Sequence, residues 1–301
     1  MIREYALDPE LMSSWDRLRL FTGQFGFGAG RLISEYPRIW GGLVLAHINR
    51  LNLPDMEHKR MVVKLTSVEF TRKLIKREGA GFNPNKPWLE NTAKEHVRQR
   101  FDAIIACSNP DANADVLLGD ELDPDDPRWR ASVTCKIRRT ADDIARVAHR
   151  LVVNSREILL IDPYFRPDDP SHVKPLLAIL NLINVGRVSR VEYHFSDKGI
   201  VDLPELWRTC NDRLARRLPL GMNLRLVLWP ASSEFHNRFI LTEAGGMQFG
   251  HGLSEAPRGS VMEDDVSLLD ETHRAKCWAE FESTAMRKPR ATYDVDCRPR
   301  R

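Results

Sequence analysis

The chain has 301 residues, 29% of them charged and 42% hydrophobic, with a formal net charge of +3. That length supplies a sizeable core for one large domain or two smaller ones, and the composition excludes a disordered or fibrous chain. The charge excess is too small to define a polyanion partner and leaves room only for a local basic face.

In chain order, residues 1–50 read as helical. Asp8 is placed as a cap with Pro9 at the first helical position, and a helix follows through Leu11, Trp15, Leu18 and Leu20. The glycine run from Gly23 to Gly30 reads as a connector. Arg31 breaks the Gly-x-Gly-x-x-Gly pattern, and no strand is expected before it. A second helix is expected from Arg31 to about Ile48, and a strand at Met61–Leu65 after the basic cluster His58-Lys59-Arg60. Arg72-Lys73-x2-Lys76-Arg77, the densest basic run, suits either a solvated helix face or a surface turned to phosphates. A helix from Asn91 leads into the apolar strand Ala103–Cys107. Residues 108–131, acidic and rich in turns, read as a domain linker. Residues 1–139 are thus expected to be mainly helical, and they present no catalytic constellation.

From Thr140 strands and helices alternate. Thr140 caps a helix to about Val153, and a buried strand runs from Glu157 to Tyr164. Then come a helix (Lys174–Val185), a strand (Arg190–Ser196), a helix (Pro204–Leu218) and a strand (Asn223–Trp229). This is an α/β pattern on a largely parallel or mixed sheet, whose ligands sit beyond the carboxyl ends of strands. Asp162, Tyr164 and Asp197 occupy such ends. The stretch Glu234–Gly252 reads as strand, glycine turn, strand, glycine turn, with His236 and Arg238 spaced to share one face of the first strand. An imidazole beside a guanidinium, near glycine N–H groups, is a seat for phosphate. An acidic strand around Met262–Asp270 and a helix from about His273 follow, and residues 289–301 form a basic tail expected to be mobile.

His236-x-Arg238-x4-Glu243, followed by Gly245-Gly246, resembles the phospholipase D signature His-x-Lys-x4-Asp with its glycine turn. Together with Leu160-Ile161-Asp162-Pro163-Tyr164-Phe165, His236-Asn237-Arg238 and Met262–Asp270, it is similar to the phospholipase D-like domain that follows MIT domains in eukaryotic membrane-remodelling proteins, and to bacterial relatives. The resemblance covers roughly residues 140–288 and implies a phospholipase D-like α/β sandwich there. It implies catalytic roles for His236, Arg238 and Glu243, with Arg166, Gly245, Gly246, His251 and Ser254 around the phosphate and Asp162, Tyr164 and Asp265 in support. No metal or other cofactor is needed in such a site.

Attack on phosphorus and protonation of the leaving group require two imidazoles, so catalysis with one motif implies a homodimer. Arg238 in place of lysine, and Glu243 in place of aspartate, depart from the family pattern. His172-Val173-Lys174 reads as a chance match, since it precedes Pro175 at a helix start. Three readings of the site stand: a non-catalytic phosphate seat, a dimeric phosphodiesterase, and a strand-edge histidine held by Glu234. The expected partner is a nucleic-acid backbone, with bacterial defence as the associated setting. The alternatives are a module binding acidic phospholipids at a membrane surface or a protein partner, and a structural subunit with a vestigial site. Five scattered cysteines without Cys-x2-Cys spacing and no secretion signal or bilayer-length apolar run point to the cytoplasm.

Overall fold

The structure, a computed structural model, describes residues 1–77, 81–233, 235–282 and 288–297. It divides into two compact units, Met1–Val133 and Thr134–Arg301, a few residues ahead of the break expected after residue 139.

The first unit contains β1 (Arg3–Leu7), α1 (Trp15–Gln24), β2 (Arg31–Glu35), α2 (Trp40–Arg50), α3 (Asp55–Thr66), α4 (Val68–Thr71), β3 (Leu74–Lys76), α5 (Trp88–Arg98), β4 (Ala103–Ala106) and β5 (Val116–Leu118). Its five strands form a parallel sheet in the order β3-β2-β1-β4-β5, which corrects the expectation of a mainly helical region. The reason lies in burial. Tyr5-Ala6-Leu7 and Leu32-Ile33-Ser34 are buried on both faces, so neither strand shows the polar–apolar alternation that marks a half-exposed strand. Met61–Leu65, read as a strand, belongs to helix α3. The stretch 108–131 is no linker: it supplies β5, and Trp129 packs edge-on against Tyr5 at 5.4 Å beneath the Arg31 guanidinium.

The basic run also changes meaning. Arg77 is buried, donating to Glu4 at 2.7 Å and to Glu95 at 2.8 Å, with its guanidinium 3.9 Å from the centre of the Phe101 ring. Ser34 closes the network by donating to Glu4 at 2.7 Å. A run of four basic residues thus contributes one core arginine paired with two carboxylates.

The second unit contains β6 (Thr134–Arg138), α6 (Ala141–Val153), β7 (Glu157–Ile161), α7 (Pro170–Leu180), β8 (Arg190–Ser196), α8 (Leu203–Leu214), β9 (Asn223–Trp229), β10 (Arg238–Thr242), β11 (Gly246–Phe249), β12 (Glu263–Leu268), α9 (Glu271–Phe281) and β13 (Ala291–Asp296). The Thr140 hydroxyl caps α6 by accepting from the Asp143 N–H, as its sequence position implies. The eight-stranded mixed sheet runs β13-β9-β8-β7-β10-β11-β12-β6, parallel only across β7, β8 and β9. Helices lie on both faces: Phe195 of β8 meets Trp207 of α8, while its neighbour His194 meets Phe281 of α9. Both units are therefore α/β.

Residues 291–296, expected in a mobile tail, pair along the whole of β9, and Tyr293 stacks on Trp207 at 5.2 Å. Arg287 and residues 298–301 of that tail lie outside the described residues. No helix among the described residues is long and apolar enough to cross a membrane.

Candidate functional site

β7 and β10 run antiparallel, with Phe239 across from Ile161. One step further along each chain brings Arg238 level with Asp162, at the end of the sheet where β7 finishes and β10 begins. The glycine-rich turn after β11 folds over this point. Gly252 has φ +113°, and a Cβ there would stand 2.8 Å from Asp162 Oδ2 and 3.5 Å from Arg238 Cγ. Only glycine lets the turn approach this closely.

Asp162 is 1% exposed. Its Oδ1 accepts the Tyr164 N–H at 3.0 Å, and its Oδ2 accepts the Leu253 N–H at 2.8 Å. Burial pushes its carboxyl above the ordinary aspartate range, against those two N–H groups and the nearby His172 and Arg238. Asp162 therefore ties the β7 end to the turn and has both oxygens engaged.

Three guanidiniums belong to the segments that meet at this end of the sheet. Arg238 lies 4.7 Å from the centre of the Tyr164 ring and donates from Nη1 to the Gly250 carbonyl at 3.3 Å. Arg139, just before α6, donates to Ser254 Oγ at 2.8 Å. Arg166 donates to the Phe165 and Lys198 carbonyls at 3.1 and 2.7 Å. Among the described residues none of the three has a carboxylate partner, and the Nε atoms of Arg139 and Arg238 are buried without any hydrogen bond. The Oδ2 of Asp264 is buried without a partner, and the other acids nearby are engaged. Glu255 binds Lys174 at 3.1 Å, and Asp169 caps α7 through the Ser171 N–H.

Asp264 is buried and accepts both the His251 N–H at 2.9 Å and a contact from His251 Nδ1 at 3.2 Å, leaving that ring half-exposed above it. Asp265, the acid expected to support the site, points to solvent, and only its carbonyl takes part, accepting the Gly250 N–H. Alternation along β12 decides this: Asp264, Val266 and Leu268 face inward and Asp265 outward.

The other sequence candidates divide. Arg166, Arg238, Asp162, Tyr164, His251 and Ser254 come together at this end of the sheet. Glu243, Gly245 and Gly246 do not. Glu243 follows β10 at its far end and accepts the Arg156 and Glu157 N–H groups at 2.8 and 3.1 Å, clamping the start of β7. Gly245 donates to the Thr242 hydroxyl within the hairpin, and the Gly246 carbonyl accepts from Leu269. A five-residue strand, roughly 3.3 Å per residue, separates this hairpin from Arg238. The glycine turn at the Asp162 end of the sheet is accordingly the second one, Gly250–Ser254. His236 is exposed and precedes β10, which starts at Arg238, so the two residues do not share a strand face. Glu234, expected to hold His236, lies outside the described residues, and no described side chain hydrogen-bonds the ring.

His194 and Asp197 serve the framework. His194 is buried, accepts Trp229 Nε1–H at Nδ1 (3.0 Å), and therefore carries its proton on Nε2, toward Glu192 at 3.1 Å. Burial holds it below the ordinary histidine range. Asp197 accepts the Ala231 N–H and pairs with Arg290. Sequence reading passed over Arg139, and it set His172 aside. Only the tertiary fold brings either one to Asp162.

A separate cluster lies in the first unit. Asp8, Glu10 and Cys107 place ligand atoms within 4.8 Å of one another, past the carboxyl ends of β1 and β4 where the strand order reverses. Loss of water around the sulfur, with Asp8 and Glu10 beside it, pushes the Cys107 thiol up to about 12. Asp8 spends its carboxylate on the Glu10 and Cys107 N–H groups.

No protein-family model and no curated protein matches the chain. Among solved structures, TrmBL2, an archaeal chromatin protein with a novel mode of DNA binding, is 15% identical with a TM-score of 0.30, over 50% of this chain and 52% of that one. A polyphosphate kinase from Porphyromonas gingivalis is 14% identical with a TM-score of 0.32, over 76% of this chain and 34% of that one. The chain spans about half the length of the first and a third of the second. Both likenesses are too distant to inform function.

Proposed function

We propose that the second unit is a phospholipase D-like domain whose Asp162-centred mouth binds the phosphate of a phosphodiester, with a nucleic-acid backbone as its partner. The observation that carries this reading is the donor excess. Arg139, Arg166 and Arg238 have no carboxylate partner among the described residues, while buried Asp162 has both oxygens engaged by backbone N–H groups. A cluster of unpaired guanidiniums is costly unless an oxyanion joins it, and Arg is the side chain best shaped for phosphate. The open setting, with Tyr164 and His251 exposed at the rim, suits a long polyanion passing across the mouth.

The role is binding. His236 is one imidazole without an orienting partner among the described residues, and cleavage would require a second one poised beside it. The test is anisotropy of labelled single- and double-stranded oligonucleotides at low salt, alongside hydrolysis of bis-nitrophenyl phosphate in EDTA. Sequence-independent binding that Arg238→Gln weakens at least tenfold, with no hydrolysis by the monomer, is the expected result. Absence of binding, or equal binding by the variant, overturns the proposal. Hydrolysis abolished in His236→Ala would replace the binding role with a catalytic one.

A further inference from the structure

This inference rests on the phosphate-seat reading. We propose that His172, from the first turn of α7, is a ligand of that seat, a second imidazole that becomes protonated when a phosphate enters and donates to it from Nδ1.

The ring is placed for this. His172 Nδ1 is buried with no hydrogen-bonding partner, as are the Nε atoms of Arg139 and Arg238. Buried ring nitrogens in folded proteins nearly always find a partner, and leaving one without costs as much as a lost hydrogen bond. These nitrogens belong to side chains gathered about Asp162 and Ser254 and are complementary to the oxygens of an anion, while the unpartnered Oδ2 of Asp264 lies across the turn beside His251. The ring sits edge-on to Phe165 at 6.1 Å, which keeps it from turning away. The turn that carries Ser254 is fastened to the same helical turn, since the Ser171 carbonyl accepts the Glu255 N–H and Lys174 pairs with Glu255.

The charges facing the ring come from every neighbouring element. Asp162 at the end of β7 and Asp169 at the cap of α7 favour the imidazolium, while Arg166 and Arg139 oppose it. Tyr193 of β8 lies behind Phe165 with its hydroxyl buried and unpartnered, and Arg238 acts through Asp162. Burial is the largest of these effects and holds the ring below the ordinary histidine range. An arriving phosphate adds negative charge beside a desolvated imidazole and reverses that balance, so binding takes up a proton.

The experiment measures the affinity of the full chain for a rhodamine-labelled oligothymidylate, whose diesters keep their charge between pH 5 and pH 9, at constant ionic strength. Affinity is expected to fall by up to about tenfold per pH unit as pH rises between the free and bound values of the ring. His172→Gln should flatten that fall, whereas His58→Gln on α3 of the first unit should retain it. A flat profile in the parent chain, or the same slope in His172→Gln, overturns the inference while leaving the seat intact. Failure of the parent chain to bind at any pH overturns both. A second measurement avoids reliance on the variant's folding: the imidazole nitrogen shifts of His172 should titrate at higher pH with oligothymidylate than without it. An unmoved midpoint contradicts the role.

Discussion

At the scale of single residues, the site depends on how close the second glycine turn comes to Asp162. Gly252 is the contact point, with a φ no other residue adopts easily and a would-be Cβ only 2.8 Å from a carboxylate oxygen. Gly252→Ala is expected to cost about 1–3 kcal/mol of stability and to weaken oligonucleotide binding, read from urea unfolding and anisotropy of the same preparation. Unchanged stability and binding would show that the turn is not held against Asp162. The candidate site was partly legible in the sequence for a local reason. Asp162, Tyr164 and Arg166 end one buried strand, and Arg238, His251 and Ser254 belong to a short hairpin and its turn, so period and spacing reach them. Glu243 matched a spacing but sits at the wrong end of a five-residue strand, and spacing alone carries no direction. His172 comes from the first turn of α7 and Arg139 from the bend between β6 and α6, and only tertiary packing determines their approach to Asp162.

At the scale of elements, the C-terminal half could be read because its strands alternate with capped helices. β8 and β9 fall where the pattern put them, and Thr140, Asp202 and Asp270 each cap a helix. The N-terminal half could not, because parallel strands buried on both faces lose the alternation that separates strand from helix. Its ion-pair network makes a sharp prediction. Arg77 neutralises Glu4 and Glu95 inside the core, so Arg77→Met strands two buried carboxylates and should cost roughly 3–5 kcal/mol, visible as a large drop in denaturant midpoint. A cost below about 1 kcal/mol would mean that the network is solvated. β13 gives a second prediction. Ending the chain after Arg290 uncovers the whole of β9, which turns a paired strand into a long apolar edge. The truncated chain is expected to aggregate or to lose stability, and a soluble chain of unchanged stability would contradict the pairing.

At the scale of the whole molecule, acid should unfold the chain in two stages. Burial holds His96, His172 and His194 below the ordinary histidine value. Each contributes stability that is complete above about pH 6.5 and lost as pH falls below it, because the unfolded chain then binds protons that the native rings refuse. Glu192 adds a second loss: despite burial, hydrogen bonds from His194 and Arg190 hold its carboxyl at about 2. That contribution is complete above about pH 4.5 and disappears as pH approaches 2. Urea midpoints at pH 7.5, 5.5 and 3.5 should decline at each step, and a midpoint that rises between pH 7.5 and 5.5 would contradict the burial of these rings.

The central claim is that the second unit carries a phosphate seat made of unpaired arginines. It is tested most directly by the salt dependence of single-stranded oligonucleotide binding. Arg139→Gln, Arg166→Gln and Arg238→Gln would be compared with Arg208→Gln, which alters an exposed arginine paired with Glu205 on α8. Each seat variant is expected to lower the slope of log affinity against log salt by roughly 0.7, and the α8 variant to leave it unchanged. Equal slopes for all four variants, or no binding by the parent chain at low salt, would contradict the seat.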